Sequence, residues 1–455
     1  MKNGSQKTKP KFSALPAHPT APKTSGAPIA APEFAALMQN FAPIPAHLAV
    51  AVSGGPDSMA LAFCLKRWRD ETNSRTILAL IVDHALRAES APEAEQTRTA
   101  LGKLGIDAEI LRWQHPPVAS RLHIRARAAR YELLAAACRA RGIAALVLGH
   151  QREDQAETIL MRIAKGSGID GLRGIDADGR FEGMRLLRPF LSIPRARCEA
   201  TCRAHGIAFI SDPSNASQKY ARGRLRRVMP LLAEEGLATE RLCDLGARAA
   251  EAKEALDHYT HALLRVAGKL DDAGVLRLDL EHMRAAPRAV ALRALDAALR
   301  TVNPGFAYGA ERASLLPLLE SLCADNAMPP RTLHGCLVAK TARLATVIRE
   351  YAAIAGETPI GPGETVMWDG RWEVTLDAKA GNGHAIRPLG HPPHALIDQL
   401  APGLRHKIPQ GRVRATLPAL WRNEKLAIIP ALPGNAHESA ARAQFLPSWP
   451  PIIAR

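Results

Sequence analysis

Residues 53–58 read Ser-Gly-Gly-Pro-Asp-Ser and lie between an apolar run at 48–52 and a helical pattern that begins at Met59. An apolar strand that runs through two glycines into a helix builds an anion cradle. Glycine lets the backbone approach a phosphate, and the first N–H groups of the helix face it. The string differs from a Walker A loop, because no Gly-Lys-Ser/Thr follows, and a capped glycine turn is the simpler alternative. The candidate phosphate-binding residues are Ser53, Gly54, Gly55, Pro56, Asp57 and Ser58.

Apolar runs alternate with amphipathic segments from residue 47 to about residue 190. This alternation predicts an α/β fold, with a parallel sheet covered by helices on both faces. In such sheets ligands bind beyond the carboxyl ends of the strands, where residues 53–58, 83–84 and 149–150 fall. The predicted strands are 47–52, 76–82, 108–113, 145–148 and 185–190.

The composition along the chain predicts four segments. Residues 1–32 contain five lysines, six prolines and no acidic residue, which is typical of a disordered basic tail. A catalytic α/β domain is predicted at 33–231, opening with a short helix at 33–40, and a helical domain at 232–330. A small β-containing domain at 331–455 should hold one hairpin from 332–339 and 344–350. A second hairpin, at 366–374, should turn at Asp369-Gly370.

The chain carries a net charge of +16, with 60 Lys and Arg against 44 Asp and Glu. A charge of this size favours a polyanionic partner such as nucleic acid. Aromatic residues make up only 4% of the chain, so contact with the phosphates of a structured nucleic acid is favoured over base stacking.

Seven scattered cysteines favour a reducing compartment over a disulfide framework. No stretch approaches the ~20 apolar residues of a membrane span, and the first residues lack the apolar core of a signal peptide. We therefore expect a cytoplasmic protein that does not bind membranes.

A second motif, at 149–158, begins at a predicted strand end and enters a helix. Asp154 and Glu157 are three residues apart, so both should project from the first turn. They should point away from a buried stripe of Ala156, Ile159, Leu160 and Ile163. Two carboxylates at this position could also simply complement the helix dipole.

Basic residues form two further groups. Arg127 and Arg130 precede Tyr131, and Arg222 and Arg226 lie one helical turn apart after Asp212-Pro-Ser-Asn215. Charged runs are usually solvated faces, but two of them beside a nucleotide site favour a phosphate or RNA role.

Taken together, these motifs resemble the tRNA(Ile)-lysidine synthase family of the PP-loop ATP-pyrophosphatases. The resemblance is dense from about residue 47 to 232 and weaker at 347–350 and 408–420. One departure is Ala85, where members often have glycine. The motifs that carry the resemblance are 53–58, 82–87, 126–127 with 130–131, 149–158, 165–175 and 212–230.

The resemblance implies a Rossmann-like catalytic domain and a two-step reaction that uses ATP and Mg²⁺. ATP adenylates the wobble cytidine of the tRNA(Ile) with a CAU anticodon, and the ε-amine of free L-lysine then displaces AMP. Free lysine has a side-chain pKa of about 10.4, so its ammonium must lose a proton. No obligate protein partner is implied, and a homodimer is left open.

The same resemblance implies roles for individual residues. Asp57 serves the ATP–Mg²⁺ complex, while Arg127 and Arg130 neutralise phosphates. Asp154 and Glu157 hold the lysine ammonium and can accept its proton. Which of the two is the base is left open. His150, Asn215 and Arg226 line the site, with Asn215 on the lysine side.

Three alternatives differ in chemistry. A tRNA thiolase of the same superfamily would need a catalytic cysteine or a Cys-x-x-Cys pair, and an amidotransferase-coupled synthetase would need a glutaminase. A non-enzymatic RNA-binding protein would have no use for Asp57, Asp154 and Glu157.

Overall fold

The computed structural model describes residues 26–72, 75–115, 122–210, 221–305, 312–354, 356–401, 411–432 and 439–447. The chain divides into a first unit, Met1–Glu251, and a second unit, Ala252–Arg455. None of the described helices is long and apolar enough to cross a membrane. Most of the predicted basic tail, at 1–25, and Asn215 lie outside the described residues.

The first unit is built on a six-stranded sheet with the order β3-β2-β1-β4-β6-β5. Every neighbouring pair is parallel except β5 and β6, so the predicted parallel sheet is confirmed. The last predicted strand ends at Leu187 rather than at residue 190, where Pro189 lacks the N–H that a ladder needs. The strands are β1 (His47–Ala51), β2 (Thr76–Asp83), β3 (Asp107–Arg112), β4 (Ala145–Leu148), β5 (Asp178–Phe181) and β6 (Met184–Leu187).

Helices cover both faces of this sheet, as the apolar strands require. One face packs against α1, α2, α3 and α7, and the other packs against Leu134, Ala135 and Cys138 of α4. The helices are α1 (Ala31–Gln39), α2 (Pro56–Thr72), α3 (Ser90–Lys103), α4 (Leu122–Ala140), α5 (Arg152–Ala164), α6 (Ile169–Leu172), α7 (Arg195–Ala204), α8 (Ala221–Glu234) and α9 (Thr239–Ala267).

The end of the predicted tail is part of the folded unit, so a disordered tail reaching residue 32 is wrong. Ile29 is 1% exposed, and its N–H donates to Thr201 Oγ1 at 2.9 Å. Arg197 holds Glu33 by two bonds of 2.6 and 2.7 Å and also donates to the Ala27 carbonyl. Burial of one isoleucine and this ion pair anchor the segment, and α1 begins at Ala31.

The second unit begins with a five-stranded antiparallel sheet in the order β7-β8-β11-β10-β9. The hairpin predicted from 332–339 and 344–350 is confirmed as the pair β10–β11, but residues 332–333 belong to a separate strand, β9, which pairs antiparallel with β10. The segment predicted to be helical, 232–330, also contains β7 and β8, and β8 pairs with β11. The division predicted at 330 and 331 therefore passes through one sheet. The strands are β7 (Gly268–Leu270), β8 (Leu276–Asp279), β9 (Arg331–Leu333), β10 (Cys336–Lys340) and β11 (Leu344–Arg349), and the helices are α10 (Leu280–Ala285), α11 (Arg288–Val302) and α12 (Arg312–Cys323).

Two smaller sheets follow, in the orders β12-β15-β16-β17 and β13-β14-β18. The predicted hairpin at 366–374 is confirmed, and Asp369 and Gly370 have φ angles of +49° and +66°, as a type I′ turn requires. The strands are β12 (Thr358–Ile360), β13 (Thr365–Trp368), β14 (Trp372–Leu376), β15 (His384–Pro388), β16 (Pro418–Arg422), β17 (Lys425–Ile428) and β18 (Ala441–Phe445). The helices are α13 (His394–Leu400) and α14 (Arg412–Ala415).

A buried ionic cluster joins β11 to this hairpin turn. The carboxylate of Asp369 accepts two bonds of 2.9 Å from Arg349 and one of 2.6 Å from Arg371. All three side chains are almost completely buried. Removing one partner of a buried ion pair leaves an uncompensated charge, which is far more costly than losing an exposed pair.

Asp369→Asn should therefore lower the free energy of unfolding by about 3–5 kcal/mol, since asparagine retains the turn conformation but leaves two buried guanidinium groups unneutralised. Glu424→Gln is the matched control, because Glu424 also pairs with an arginine, Arg387, but its side chain is exposed. Urea unfolding midpoints measure both changes. Equal midpoints for the two variants would contradict this role of Asp369.

Candidate active site

The loop at 53–58 connects β1 to α2 and is closed by its own hydrogen bonds. The Ser53 N–H donates to Ser58 Oγ at 3.1 Å, and that hydroxyl donates to the Gly55 carbonyl at 3.0 Å. Gly54 has a φ of +84°, and a Cβ there would lie 2.5 Å from Thr97 Oγ1. The backbone therefore needs glycine, and the first turn of α2 opens on the loop as an anion cradle does.

Asp57 stands in that first turn. Its Oδ1 atom is buried, with no hydrogen-bond partner among the described residues. Burial raises the pKa of Asp57 to about 7, Arg195 opposes the shift, and the neighbouring carboxylates Asp154 and Glu153 add to it. An unpartnered carboxylate oxygen beside a phosphate cradle suits a hard cation such as Mg²⁺.

Gly149, at the end of β4, brings the second motif against this loop. A Cβ at Gly149 would lie 3.2 Å from both Cα and N of Ser58. The two loops therefore pack backbone to backbone, and a side chain at residue 149 would push them apart. This contact places the start of α5 beside the phosphate loop.

A capping box starts α5. Gln151 Oε1 accepts the N–H groups of Glu153 and Asp154 at 2.5 and 3.4 Å, and Asp154 Oδ2 accepts the Gln151 N–H at 3.2 Å. One carboxylate oxygen of Asp154 thus caps the N-terminus of α5, in line with the alternative that these carboxylates stabilise the start of the helix. The other, Oδ1, lies 3.9 Å from Nη2 of Arg226.

Glu157 is paired with Arg226 of α8. Arg226 donates from Nε to Glu157 Oε1 at 2.5 Å and from Nη2 to Oε2 at 3.3 Å. Burial raises the pKa of Glu157 above its ordinary value, and Arg226 only partly offsets that shift. The structure thus brings together two carboxylates and one arginine next to Asp57.

The predicted orientation of α5 needs a correction. Ala156 and Ile159 are buried as expected, but Ile163 is 42% exposed and Glu157 is only 2% exposed. Arg226 of α8 packs over the side of the helix that carries Glu157. The buried side of α5 is therefore partly ionic.

His150 lies among arginines. Its Nδ1 atom is buried and has no partner within the described part of the chain. Burial lowers the pKa of His150 to about 3, with Arg188, Arg130 and Arg127 adding to the effect in that order. Arg130 is half-buried, whereas Arg127 is exposed and lies 5.2 Å over the ring of Tyr131.

His150 should therefore remain neutral throughout the working pH range. The imidazole signals of His150 in an NMR titration should stay constant from pH 5 to pH 9, because burial and the neighbouring arginines keep the ring neutral. A midpoint above pH 5 for His150 would show that burial among these arginines does not govern its charge.

Arg188 and Arg195 were not among the predicted site residues, whereas Asp83 was predicted at the end of a strand. Arg188 lies directly after β6, inside the strand predicted at 185–190, and Arg195 begins α7. Asp83, 3% exposed, accepts the Ala85 N–H at 2.9 Å and also the Ser90 hydroxyl. Ala85 has a φ of +50°, which explains why glycine suits this position.

The family model for the PP-loop domain matches residues 28–232. A tRNA(Ile)-lysidine synthase from Methylobacterium nodulans is 43% identical over 63% of this chain and 83% of its own length. The chain belongs to the tRNA(Ile)-lysidine synthase family. Relatives of the same name from Ruegeria pomeroyi and Wolbachia pipientis are 34% and 31% identical. They align with 85% and 75% of this chain and with 88% and 80% of their own lengths.

Membership of the tRNA(Ile)-lysidine synthase family confirms the resemblance that the sequence motifs indicate. The matched PP-loop domain contains the phosphate loop, the start of α5 and all but the last two residues of α8. It begins one residue before Ile29, in agreement with the packing of that residue into the first unit.

Proposed function

We propose that this chain ligates the ε-amine of lysine to C2 of the wobble cytidine of the CAU-anticodon tRNA(Ile). The reaction consumes ATP, releases AMP and pyrophosphate, and changes codon reading from methionine to isoleucine. The observation that supports this most directly is the group formed by the buried Glu157 and the partly buried Asp154 and Arg226, which lies beside a phosphate loop and Asp57.

In the first step the cytosine O2 oxygen attacks the α-phosphate of ATP. The O2–P bond forms, the bond to the β-phosphate oxygen breaks, and pyrophosphate leaves. The phosphate loop would hold that pyrophosphate through the N–H groups of α2. Asp57 would hold Mg²⁺, which neutralises phosphate charge when bound.

In the second step the lysine amine attacks C2. The C2–N bond forms, the C2–O bond breaks, and AMP leaves with the former cytosine oxygen. Asp154 and Glu157 would hold the lysine ammonium and accept its proton. Burial raises the pKa of Glu157, which makes its carboxylate a better proton acceptor than an exposed one. In the absence of lysine, Arg226 supplies the positive charge that Glu157 needs.

The remaining assignments follow from the same proposal. Arg127, Arg130 and His150 would line the phosphate side of the site, and Asn215 the lysine side. The segments 232–330 and 331–455 would contact the tRNA body, chiefly through its phosphates. The substrates, tRNA and free lysine, would place the reaction in the cytoplasm.

Phosphate contacts release counterions, so tRNA affinity should depend strongly on salt. With six or more contacts we expect tRNA affinity to fall by about 10³-fold or more between 50 and 200 mM salt. Neutralising the exposed Lys269, Lys379 and Arg442 of the second unit should make that dependence shallower. Filter binding at several salt concentrations measures it, with the affinity for ATP as the control. An unchanged slope would remove the second unit from tRNA binding.

The deciding experiment incubates the full chain with ATP, the CAU-anticodon tRNA and labelled lysine. We expect label in the tRNA together with AMP, and no label when either ATP or the tRNA is omitted. Sulfur transfer without lysine incorporation would favour a thiolase, and tRNA binding without AMP formation would favour a non-enzymatic RNA-binding protein. Either result would overturn the proposal.

A further inference from the structure

Arg188 is a buried cation for which the reaction scheme gives no role. It follows β6, which pairs with β4, the strand that ends two residues before His150, and it is 7% exposed. Nη1 donates to the Asp176 carbonyl at 2.7 Å. Nε is buried and lacks a hydrogen-bond partner among the residues that the structure describes. A buried charge is costly unless it is neutralised, so a guanidinium with an unused N–H indicates a missing anion.

The surroundings of Arg188 are cationic as well. Nδ1 of His150 is also buried without a hydrogen-bond partner among the described residues. Of the neighbouring charges, Arg188 lowers the pKa of His150 most, followed by Arg130, Arg127 and Arg222. The Tyr131 hydroxyl also hydrogen-bonds the guanidinium of Arg188, and Asp178 is the carboxylate that acts on Arg188, with a smaller effect than Tyr131 or Arg127. The carboxylates of the site lie around Asp57 and Glu157 instead, away from Arg188 and His150.

The site is therefore divided by charge. The side at the end of β1 and the start of α5 carries Asp57, Asp154 and Glu157. The side at the ends of β4 and β6 carries His150 and Arg188, together with Arg130 of α4. An ammonium group fits the first side, whereas the second fits a phosphate outside the phosphate loop.

We propose that Arg188, with Arg130 and His150, forms a second phosphate site that is distinct from the loop at 53–58. This inference rests on the proposed function, which supplies two candidate phosphates of the same chemistry. One is the α-phosphate of ATP, which leaves as AMP, and the other is a backbone phosphate of the tRNA beside the target cytidine. Arg188 binds the group through its planar fork and is not itself a proton donor in the reaction.

The test compares Arg188→Gln and Arg188→Lys with a matched control, Arg180→Gln. Arg180 lies on the neighbouring strand β5, but its side chain is exposed. Calorimetry measures the affinity for AMP, which carries the α-phosphate but cannot use the pyrophosphate subsite, and filter binding measures the affinity for tRNA. A lost charge-assisted hydrogen bond should weaken the affected ligand by about 10- to 100-fold.

If Arg188 binds the α-phosphate, both substitutions weaken AMP, while tRNA affinity and its salt slope are unchanged. If it binds the tRNA backbone, tRNA affinity falls and the salt slope becomes shallower by about one contact. Folded variants in which AMP and tRNA both bind as they do to the unsubstituted protein would overturn the proposal and leave Arg188 with a packing role only.

The unsubstituted protein provides a measurement that does not depend on the folding of a variant. The Nε–H resonance of Arg188 should move on titration with AMP or with tRNA, and a resonance that moves with neither would also overturn the proposal. These binding readouts do not require lysine transfer. A failure of the proposed ligase activity is therefore distinguishable from a failure of the second phosphate site.

Discussion

Asp57→Asn should reduce tRNA-dependent AMP release by about 10³-fold while the fold is retained. Asparagine has nearly the same shape but lacks the charge with which Asp57 would hold Mg²⁺ at the phosphate loop. The buried Oδ1 atom has no hydrogen-bond partner within the described residues, so no hydrogen bond to this atom is lost. AMP release at saturating ATP measures the effect. Release at the unsubstituted rate would remove Asp57 from the mechanism.

The same substitution should stabilise the protein in a pH-dependent manner. Burial raises the pKa of Asp57 to about 7, so ionising this carboxylate in the folded state costs free energy. Below about pH 4 the carboxyl is protonated in both the folded and the unfolded protein, and the cost is absent. It grows as the pH rises through the window from about 4 to 7 and is complete above it. Asp57→Asn should therefore raise the free energy of unfolding by on the order of 2–3 kcal/mol at pH 8 and by almost nothing at pH 4.

Asp70→Asn provides the matched control, because Asp70 lies in the same helix but is exposed and paired with Lys66. That ion pair lowers the pKa of Asp70, so its removal should give no stabilisation at pH 8. Thermal unfolding of both variants at pH 4 and pH 8 makes the comparison. A stabilisation by Asp57→Asn that is equal at the two pH values would show that charge burial is not its cause.

Glu157→Gln should raise the apparent KM for lysine by about 100-fold, because a buried ammonium loses its charged partner, with little effect on ATP binding. Asp154→Asn should act in the same direction but less strongly, since Asp154 shares its carboxylate with the start of α5. Asparagine can still accept the capping bond, so the helix end should be retained.

Glu153→Gln is the control for both carboxylates. It lies in the same helical turn, but its Oε2 atom accepts the Arg195 N–H at 3.0 Å, a bond that glutamine can also make. Apparent affinities for lysine and for ATP are measured in parallel for the three variants. If neither Asp154→Asn nor Glu157→Gln changes lysine affinity, the carboxylates serve only the helix end and Arg226.

The parallel sheet could be predicted from sequence because its inner strands are short, continuous apolar runs such as Ala145–Leu148. The edge strand Asp178–Phe181 could not, since it is polar and half-exposed. Strands β7 and β8 escaped prediction for a related reason. They are three and four residues long, too short to show a periodicity of their own. β8 is held by its pairing with β11, beyond residue 331, and β7 is held by its pairing with β8.

Among the site residues, too, those local in sequence could be predicted and those that depend on distant partners could not. The phosphate loop is local in sequence, so its residues and its glycine requirement could be read directly. The burial of Glu157 depends on Arg226, 69 residues away, and no helical periodicity reports such a contact. Arg188 was missed because a single polar residue after an apolar strand carries no signal until the fold brings it beside His150.

Gly149 has a consequence for how such a chain can change over time. Because a single methyl group at this position would lie 3.2 Å from the backbone of Ser58, a side chain added after β4 requires the loop after β1 to shift as well. A substitution in one would displace the start of α2 and with it Asp57, and restoring activity would require a compensating change 91 residues away. We therefore expect natural variants to retain or lose these two loops together, whereas the exposed edge strand β5 and the surface of the second unit are free to drift.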